Sequence, residues 1–215
     1  MKSNSLVMES LVIARDGAAL SQPISMTLAG GEMLAIHGSN GSGKSTLLKT
    51  LAGLIPIHEG SVRISDAWPP EQPALYLGHK RGLAPSMSVK DNVSFWAKAS
   101  GYPELTMAAM HYFDLEDIPN TAVNELSAGW QQRVALTRLI TIPAPIWLLD
   151  EPMANLDADG MALLQSLIQT RLEQGGIVLI ATHLQLQGEK VKNINISGLR
   201  DLTKVENPDD DLIEA

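Results

Sequence analysis

The chain has 215 residues, enough to bury a good core, and its 45% hydrophobic and 19% charged residues are globular values that exclude wholesale disorder. A net charge of -8 argues against a nucleic-acid partner held through phosphate contacts, so no nucleic acid is expected. Zero cysteines exclude disulfides, thiol chemistry and thiolate metal sites. Met1 to Ser5 leads into no apolar signal core, and no uncharged apolar run is long enough to span a bilayer, so the expectation is a soluble chain or one attached to a membrane through a partner.

Leu6 to Ala14 and Pro23 to Leu28 alternate or cluster apolar residues around a turn-like Arg15-Asp16-Gly17, the pattern of two antiparallel strands. Ala29-Gly30-Gly31 then turns the chain into a strand from Met33 to His37. Next comes Gly38-Ser39-Asn40-Gly41-Ser42-Gly43-Lys44-Ser45-Thr46, which satisfies G-x-x-x-x-G-K-[ST] between that strand and a helix-like run, Leu47 to Ala52. Glycines let such a loop turn its N–H groups inward toward phosphate oxygens, at a helix N-terminus whose dipole also favours anions. Lys44 is expected to neutralise β- and γ-phosphate charge, and the Ser45 hydroxyl to hold Mg²⁺. A plain glycine turn capping a helix would leave the agreement of both flanks unexplained.

The helix from Lys44 to Leu54 is expected to stop near Gly53 and Pro56. Ser61 to Ile64 and Ala74 to Leu77 read as short strands separated by the proline-rich Trp68 to Pro73. From Lys80 to Thr141 the spacing turns helical, over Val89 to Ala99, Glu104 to Asp114 and Ala128 to Ile140. Pro143 and Pro145 end this insertion, and Ile146 to Leu149 is the continuous apolar run of a buried parallel strand. A helix from Asp157 to Gln174 and a strand from Ile177 to Ala181 follow, so strands alternate with helices as in a parallel α/β core. The expected division is a core at residues 1–79 and 142–205, a helical subdomain at 80–141 and an acidic tail at 206–215, within one domain.

Asp150 and Glu151 end the apolar strand, where open α/β sheets place their ligands. Asp150 fits the Mg²⁺-side carboxylate of a P-loop NTPase, and Glu151 is placed to polarise the attacking water. Alone, Asp-Glu could equally be a solvated turn; it is the glycine loop that makes it a site. Leu126-Ser127-Ala128-Gly129-Trp130-Gln131-Gln132-Arg133 opens an amphipathic helix with Ser127 as a good N-cap, which by itself describes only a capped helix.

At this stretch the chain resembles the ATP-binding cassette family, whose signature Leu-Ser-Gly-Gly-Gln is matched by LSAGW followed by QQRVALTRL. The resemblance covers nearly the whole chain, including a D-loop-like Ala154-Asn155-Leu156-Asp157 and Ala181-Thr182-His183 at the end of the next strand. It implies a P-loop NTPase fold with a parallel core sheet, an antiparallel β layer and an inserted helical subdomain. It also implies ATP with Mg²⁺ as ligand, Glu151 and His183 as catalytic residues, and a second copy of the chain in an ATP-sandwich dimer. Ser127 and the N–H groups near Gly129 would then meet the γ-phosphate held by the other subunit, with Ala128 and Asp157 among the nucleotide-binding residues. Three positions depart from the family pattern. Arg15 stands where an aromatic commonly stacks on adenine, His79 where a glutamine touches Mg²⁺, and Trp130 where the signature has glutamine. A guanidinium plane can also stack, a neutral imidazole nitrogen can also accept or donate, and Trp130 would either stack or pack.

Arg15 before the hairpin turn, Leu77-Gly78-His79, the signature variant and Pro-x-Pro-Ile-Trp-Leu-Leu-Asp-Glu-Pro at Pro143 to Pro152 are, within that family, similar to the cytochrome c maturation protein A group. That resemblance implies the ATP-hydrolysing subunit of a bacterial haem-handling complex in c-type cytochrome biogenesis. It would sit peripherally on the cytoplasmic face of the inner membrane, against a polytopic permease subunit of the cytochrome c maturation complex. A short cassette serving a lipid, metal or drug transporter is the alternative, followed by a soluble cassette ATPase. No haem site is legible, since His37, His58 and His111 are scattered.

Overall fold

A computed structural model of the chain describes residues 5–65, 74–186 and 188–196. In chain order the strands and helices are β1 (Ser5–Val12), β2 (Ala14–Arg15), β3 (Ala18–Ala19), β4 (Ile24–Ala29), β5 (Met33–His37), α1 (Lys44–Leu51), β6 (Glu59–Ile64) and β7 (Ala74–Leu77). They continue as α2 (Val89–Ala99), α3 (Leu105–Tyr112), α4 (Ala128–Leu136), α5 (Arg138–Thr141), β8 (Ile146–Asp150), α6 (Ala158–Glu173), β9 (Ile177–Ala181) and β10 (Val191–Asn195). The proline-rich 68–73 and the acidic tail lie outside the described residues.

Five strands form a parallel sheet in the order β10-β5-β9-β8-β7, and β4-β1-β6 form an antiparallel layer. The continuous apolar run of β8 follows from burial on both faces. Ile146 and Leu148 pack with Leu6, Leu11, Leu28 and Leu47 on the side of the antiparallel layer and α1, while Trp147 and Leu149 pack with Val93, Phe113 and Val134 on the side of the other helices. Strand β9 repeats the division, with Ile177 and Leu179 on one face and Val178 and Ile180 on the other. Period-two alternation persists, hidden because both faces are dry.

The expected antiparallel pair is β1 with β4, while Asp16 and Gly17 turn the small separate hairpin of β2 and β3. The remaining differences are local. The helix expected to Leu54 ends at Leu51, where Ala52 and Gly53 close the last turn onto Leu48 and Thr50. The strand expected from Ser61 begins at Glu59, drawn out by antiparallel pairing with β1. The single helix expected over Ala128 to Ile140 is divided into α4 and α5 at Thr137, whose Oγ1 donates to the Val134 carbonyl at 2.6 Å, a side-chain bond that competes with the helical ladder. Strand β10 was not anticipated, because Val191 to Asn195 alternates too weakly; its register beside β5 is what makes it a strand.

Candidate functional site

Parallel register brings the carboxyl ends of three strands to one level, with Ile36 and Asp150 each beside Ala181. The next backbone bonds extend this ladder by one step, Thr182 N–H donating to Ile36 and Glu151 N–H to Ala181. Glu151 and His183 therefore emerge from the same edge, and His183 Nε2 lies 3.3 Å from Glu151 Oε1. Glu151 holds φ of 52°, a left-handed conformation costing roughly 1–3 kcal/mol for a non-glycine residue. Such strain persists where the fold fixes both sides, here the end of β8 and the turn that follows.

The glycine loop crosses this edge between β5 and α1. Gly43 is the N-cap of α1 at φ 112°, and a Cβ there would lie 2.8 Å from Ile13 Cδ1, so glycine alone fits. Buried Lys44 folds back so that Nζ donates to the Gly38 and Ser39 carbonyls at 2.7 and 3.2 Å, and buried Ser42 Oγ has no hydrogen-bond partner among the described residues. The first turn of α1 carries no acidic side chain, leaving its N-terminal N–H groups and positive dipole end uncompensated. A cavity of about 200 Å³ opens there, lined by Arg15, Asn40, Gly41, Gly43, Lys44, Ser45, Thr46, His79, Asp150 and Glu151.

A second, separate cavity of about 150 Å³ lies at the start of α4, lined by Ser127, Gly129, Trp130, Arg133, Asn155 and Asp157. Ser127 caps the helix by accepting from the Trp130 N–H, and exposed Ala128 begins it. A Cβ on Gly129 would meet the Asn155 carbonyl oxygen at 2.7 Å, so the small residue lets the helix start close against the turn after β8.

The family model described as ABC transporter matches residues 21–154. The chain is 42% identical to the cytochrome c biogenesis ATP-binding export protein CcmA of Ruegeria pomeroyi, over 84% of this chain and 86% of that protein. It is 37% identical to the protein of the same name from Rhizobium meliloti, over 90% and 98%. A solved ABC transporter ATP-binding protein from Pyrococcus furiosus superposes with a TM-score of 0.77 at 27% identity, over 89% of this chain and 97% of that one. The chain belongs to the ABC transporter family of ATPases, with the CcmA proteins as its relatives.

In this ABC ATPase the residues expected around one nucleotide divide between the two cavities. Arg15 and residues 40, 41 and 43–46 meet His79, Asp150 and Glu151 in the first; Gly38, Ser39 and Ser42 form the loop behind it, and His183 joins through Glu151. Ser127, Gly129 and Asp157 stand at the second. Asp157 is also structural: it caps α6 through the Gly160 N–H and accepts two bonds from Arg133, which hold its carboxyl below the usual range. Burial pulls Arg133 down, but its bonds to Asp157 and Asp114 outweigh this and hold it charged. The guanidinium also lies 4.9 Å from the centre of the Trp130 ring, so the residue in the place of the signature glutamine stacks on a cation.

Two contributors escaped the sequence reading. Tyr76 donates to buried Asp150 Oδ2 at 3.3 Å, and its phenol is pushed above its usual range by burial and then by the Asp150 charge. A Cβ on Gly78 would sit 2.7 Å from that hydroxyl, so the glycine in Leu77-Gly78-His79 makes room for it. The usable signal was strand alternation, which turns Tyr76 and the apolar Leu75 and Leu77 to opposite faces of β7. The other is Arg133, hidden because its two acidic partners are 19 and 24 residues away.

Proposed function

We propose that this chain is the ATP-hydrolysing subunit of a membrane complex that handles haem in c-type cytochrome biogenesis. The observation that carries the reaction is the Glu151–His183 pair, 3.3 Å apart at the rim of a cavity that also holds Lys44, Ser45 and Asp150. Cytochrome c biogenesis and export are the functions named for the CcmA relatives, and they extend to this chain by likeness over most of its length. Among the described residues no helix is long and apolar enough to cross a membrane, in keeping with attachment through a partner.

The inward N–H groups of the loop and the Lys44 ammonium would grip the β- and γ-phosphates of ATP, with Arg15 stacked on the base. The donor set fits Mg²⁺: Ser45 hydroxyl and Asp150 carboxylate are hard oxygen ligands, with His79 at their side. When bound with the phosphates, this ion would neutralise charge on the triphosphate. Among the described residues no three His, Asp or Glu side chains cluster to hold a metal alone, in keeping with a cation that also needs phosphate ligands. Glu151 would take a proton from a water whose oxygen attacks the γ-phosphorus, while the bond to the β-phosphate oxygen breaks and ADP leaves. His183, whose Nε2 lies 3.3 Å from Glu151 Oε1, would hold that carboxylate toward the water.

Ser127, Ala128, Gly129 and Asp157 would complete the site from a second copy of the chain, with ATP between the two. Residues 80–141 would act as a helical subdomain facing a polytopic permease of the cytochrome c maturation complex, at the cytoplasmic side of the inner membrane. Glu151→Gln is expected to keep ATP binding in calorimetry and to lose roughly a hundredfold in turnover, the scale of a positioned general base. Normal turnover would remove Glu151 from the chemistry. Copurification from native membranes tests the rest: haem-handling proteins support the assignment, and an unrelated permease replaces it.

A further inference from the structure

The loop from His79 to Ser88 joins the first cavity to α2, and its backbone is pinned at two places. Buried Asn92 accepts from Ala84 N–H at 2.8 Å and donates to the Ala84, Met87 and Ser88 carbonyls. Buried Arg138 donates to the Arg81 carbonyl and lies over the Trp96 ring. Arg81 is thereby held beside α4, and its guanidinium reaches across. Nε donates to Gln132 Oε1 and an Nη to Gln131 Oε1, both at 3.1 Å.

Each glutamine passes the connection on. Gln132 Nε2 donates to the Pro152 carbonyl at 2.9 Å, one residue beyond Glu151. Gln131 Nε2 donates to the Leu126 carbonyl at 3.0 Å, one residue before Ser127. Among the described residues Arg81 makes no ion pair with a carboxylate, so its planar fork of donors is spent on two neutral amides. Isolated surface arginines rarely hold such a geometry against rotamer entropy; here both acceptors are oriented by bonds of their own.

We infer that Arg81 is a positioning residue for hydrolysis, the crosspiece through which the His79 loop, the start of α4 and the turn carrying Glu151 keep one mutual geometry. The inference rests on the catalytic reading of Glu151 and adds to it a residue outside the lining of the first cavity. Displacing α4 relative to the sheet drags Gln131 and Gln132 together, so the signature end, the His79 loop and the Glu151 turn respond as one unit.

The test is a double-mutant cycle on the full chain. Arg81→Met keeps the aliphatic stem and removes the donors; it is expected to lower kcat about tenfold, equivalent to about 1.4 kcal/mol, with the ATP dissociation constant unchanged. Gln132→Leu, which cuts only the arm to Pro152, should lower kcat by no more than Arg81→Met does, and the double variant should be no slower than Arg81→Met alone. Arg81→Lys, which keeps a donor, should recover part of the loss. Amide exchange at residues 79–83 and 153–155 of the nucleotide-free protein should quicken in Arg81→Met and not in Arg81→Lys. Multiplicative effects in the double variant, an unchanged kcat, or unaltered exchange would each overturn the inference. Glu151→Gln measured alongside separates the two failures: full turnover there removes the base, whereas full turnover in Arg81→Met beside an inactive Glu151→Gln removes only the crosspiece.

Discussion

The two cavities differ in how their walls are built. The first draws on β2, the glycine loop, α1 and the ends of β7 and β8, and Lys44 and Asp150 on its floor are buried, as is Ser42 in the loop behind it. The second draws on the start of α4 and the turn after β8, and Ser127, Asn155 and Asp157 on its rim are exposed. A buried cation with carbonyl partners, beside a hydroxyl that has no partner among the described residues, would grip an anion without help from a second surface. A helix N-terminus with exposed neighbours supplies donors from residues at the surface, as expected of a face that would act on a ligand anchored elsewhere. One short turn serves both, since Glu151 lies at the first cavity and Asn155 at the second, and both hold positive φ, at 52° and 64°.

The largest expected effect is at the buried grip. Lys44→Ala removes the ammonium, takes away its bonds to the Gly38 and Ser39 carbonyls, and strips the buried cation from the floor of the cavity. ATP-binding heat in calorimetry should disappear and turnover should fall to background. ATP consumption at the normal rate would break the contrast at once, because the first cavity would then not be a phosphate grip.

The exposed cavity should respond differently. Ser127→Asp keeps an acceptor at the helix cap, so the folded chain should melt as before, but it sets a negative charge where a phosphate would arrive. The isolated chain should bind ATP with unchanged affinity while turnover drops by roughly tenfold or more, the cost of losing one charge-stabilising contact. A weakened affinity in the monomer would instead merge the two cavities into one site.

How far each region was legible in the sequence follows the same contrast. The glycine loop is local, nine consecutive residues whose spacing carries its own geometry, and Asp150 and Glu151 are located by the apolar strand before them. The doubly buried strands were legible because continuous apolar runs have few other uses. What escaped depends on distant partners: β10 on register with β5, Tyr76 on a carboxylate 74 residues away, and Arg133 on Asp114 and Asp157. The break at Thr137 escaped because one hydroxyl bond decides it, while the apolar spacing runs through unbroken.

The smallest expected effect is in pH, where the two regions should answer at opposite ends. In the first, the Tyr76 phenol is raised above its ordinary value of 10.0 by burial and by Asp150. A group raised on folding contributes stability that is complete below its unfolded value and lost as pH climbs through the folded one. One of the three tyrosines should therefore resist ionisation in the native near-ultraviolet titration, and Tyr76→Phe should soften the alkaline decline in melting temperature. In the second region, Asp157 is lowered beneath its ordinary 3.8 by the Arg133 bonds first and the Gly160 N–H next. Its contribution is present above that value and fades as acid carries the pH down through the folded one. Asp157→Asn keeps a good helix cap but loses the charge, so its acid decline should be shallower than the native chain's while its alkaline limb is untouched. Were both variants to shift the same limb, the carboxylates and the phenol would belong to one electrostatic unit, and the separation of the two cavities would fail on the ground where it is most finely measured.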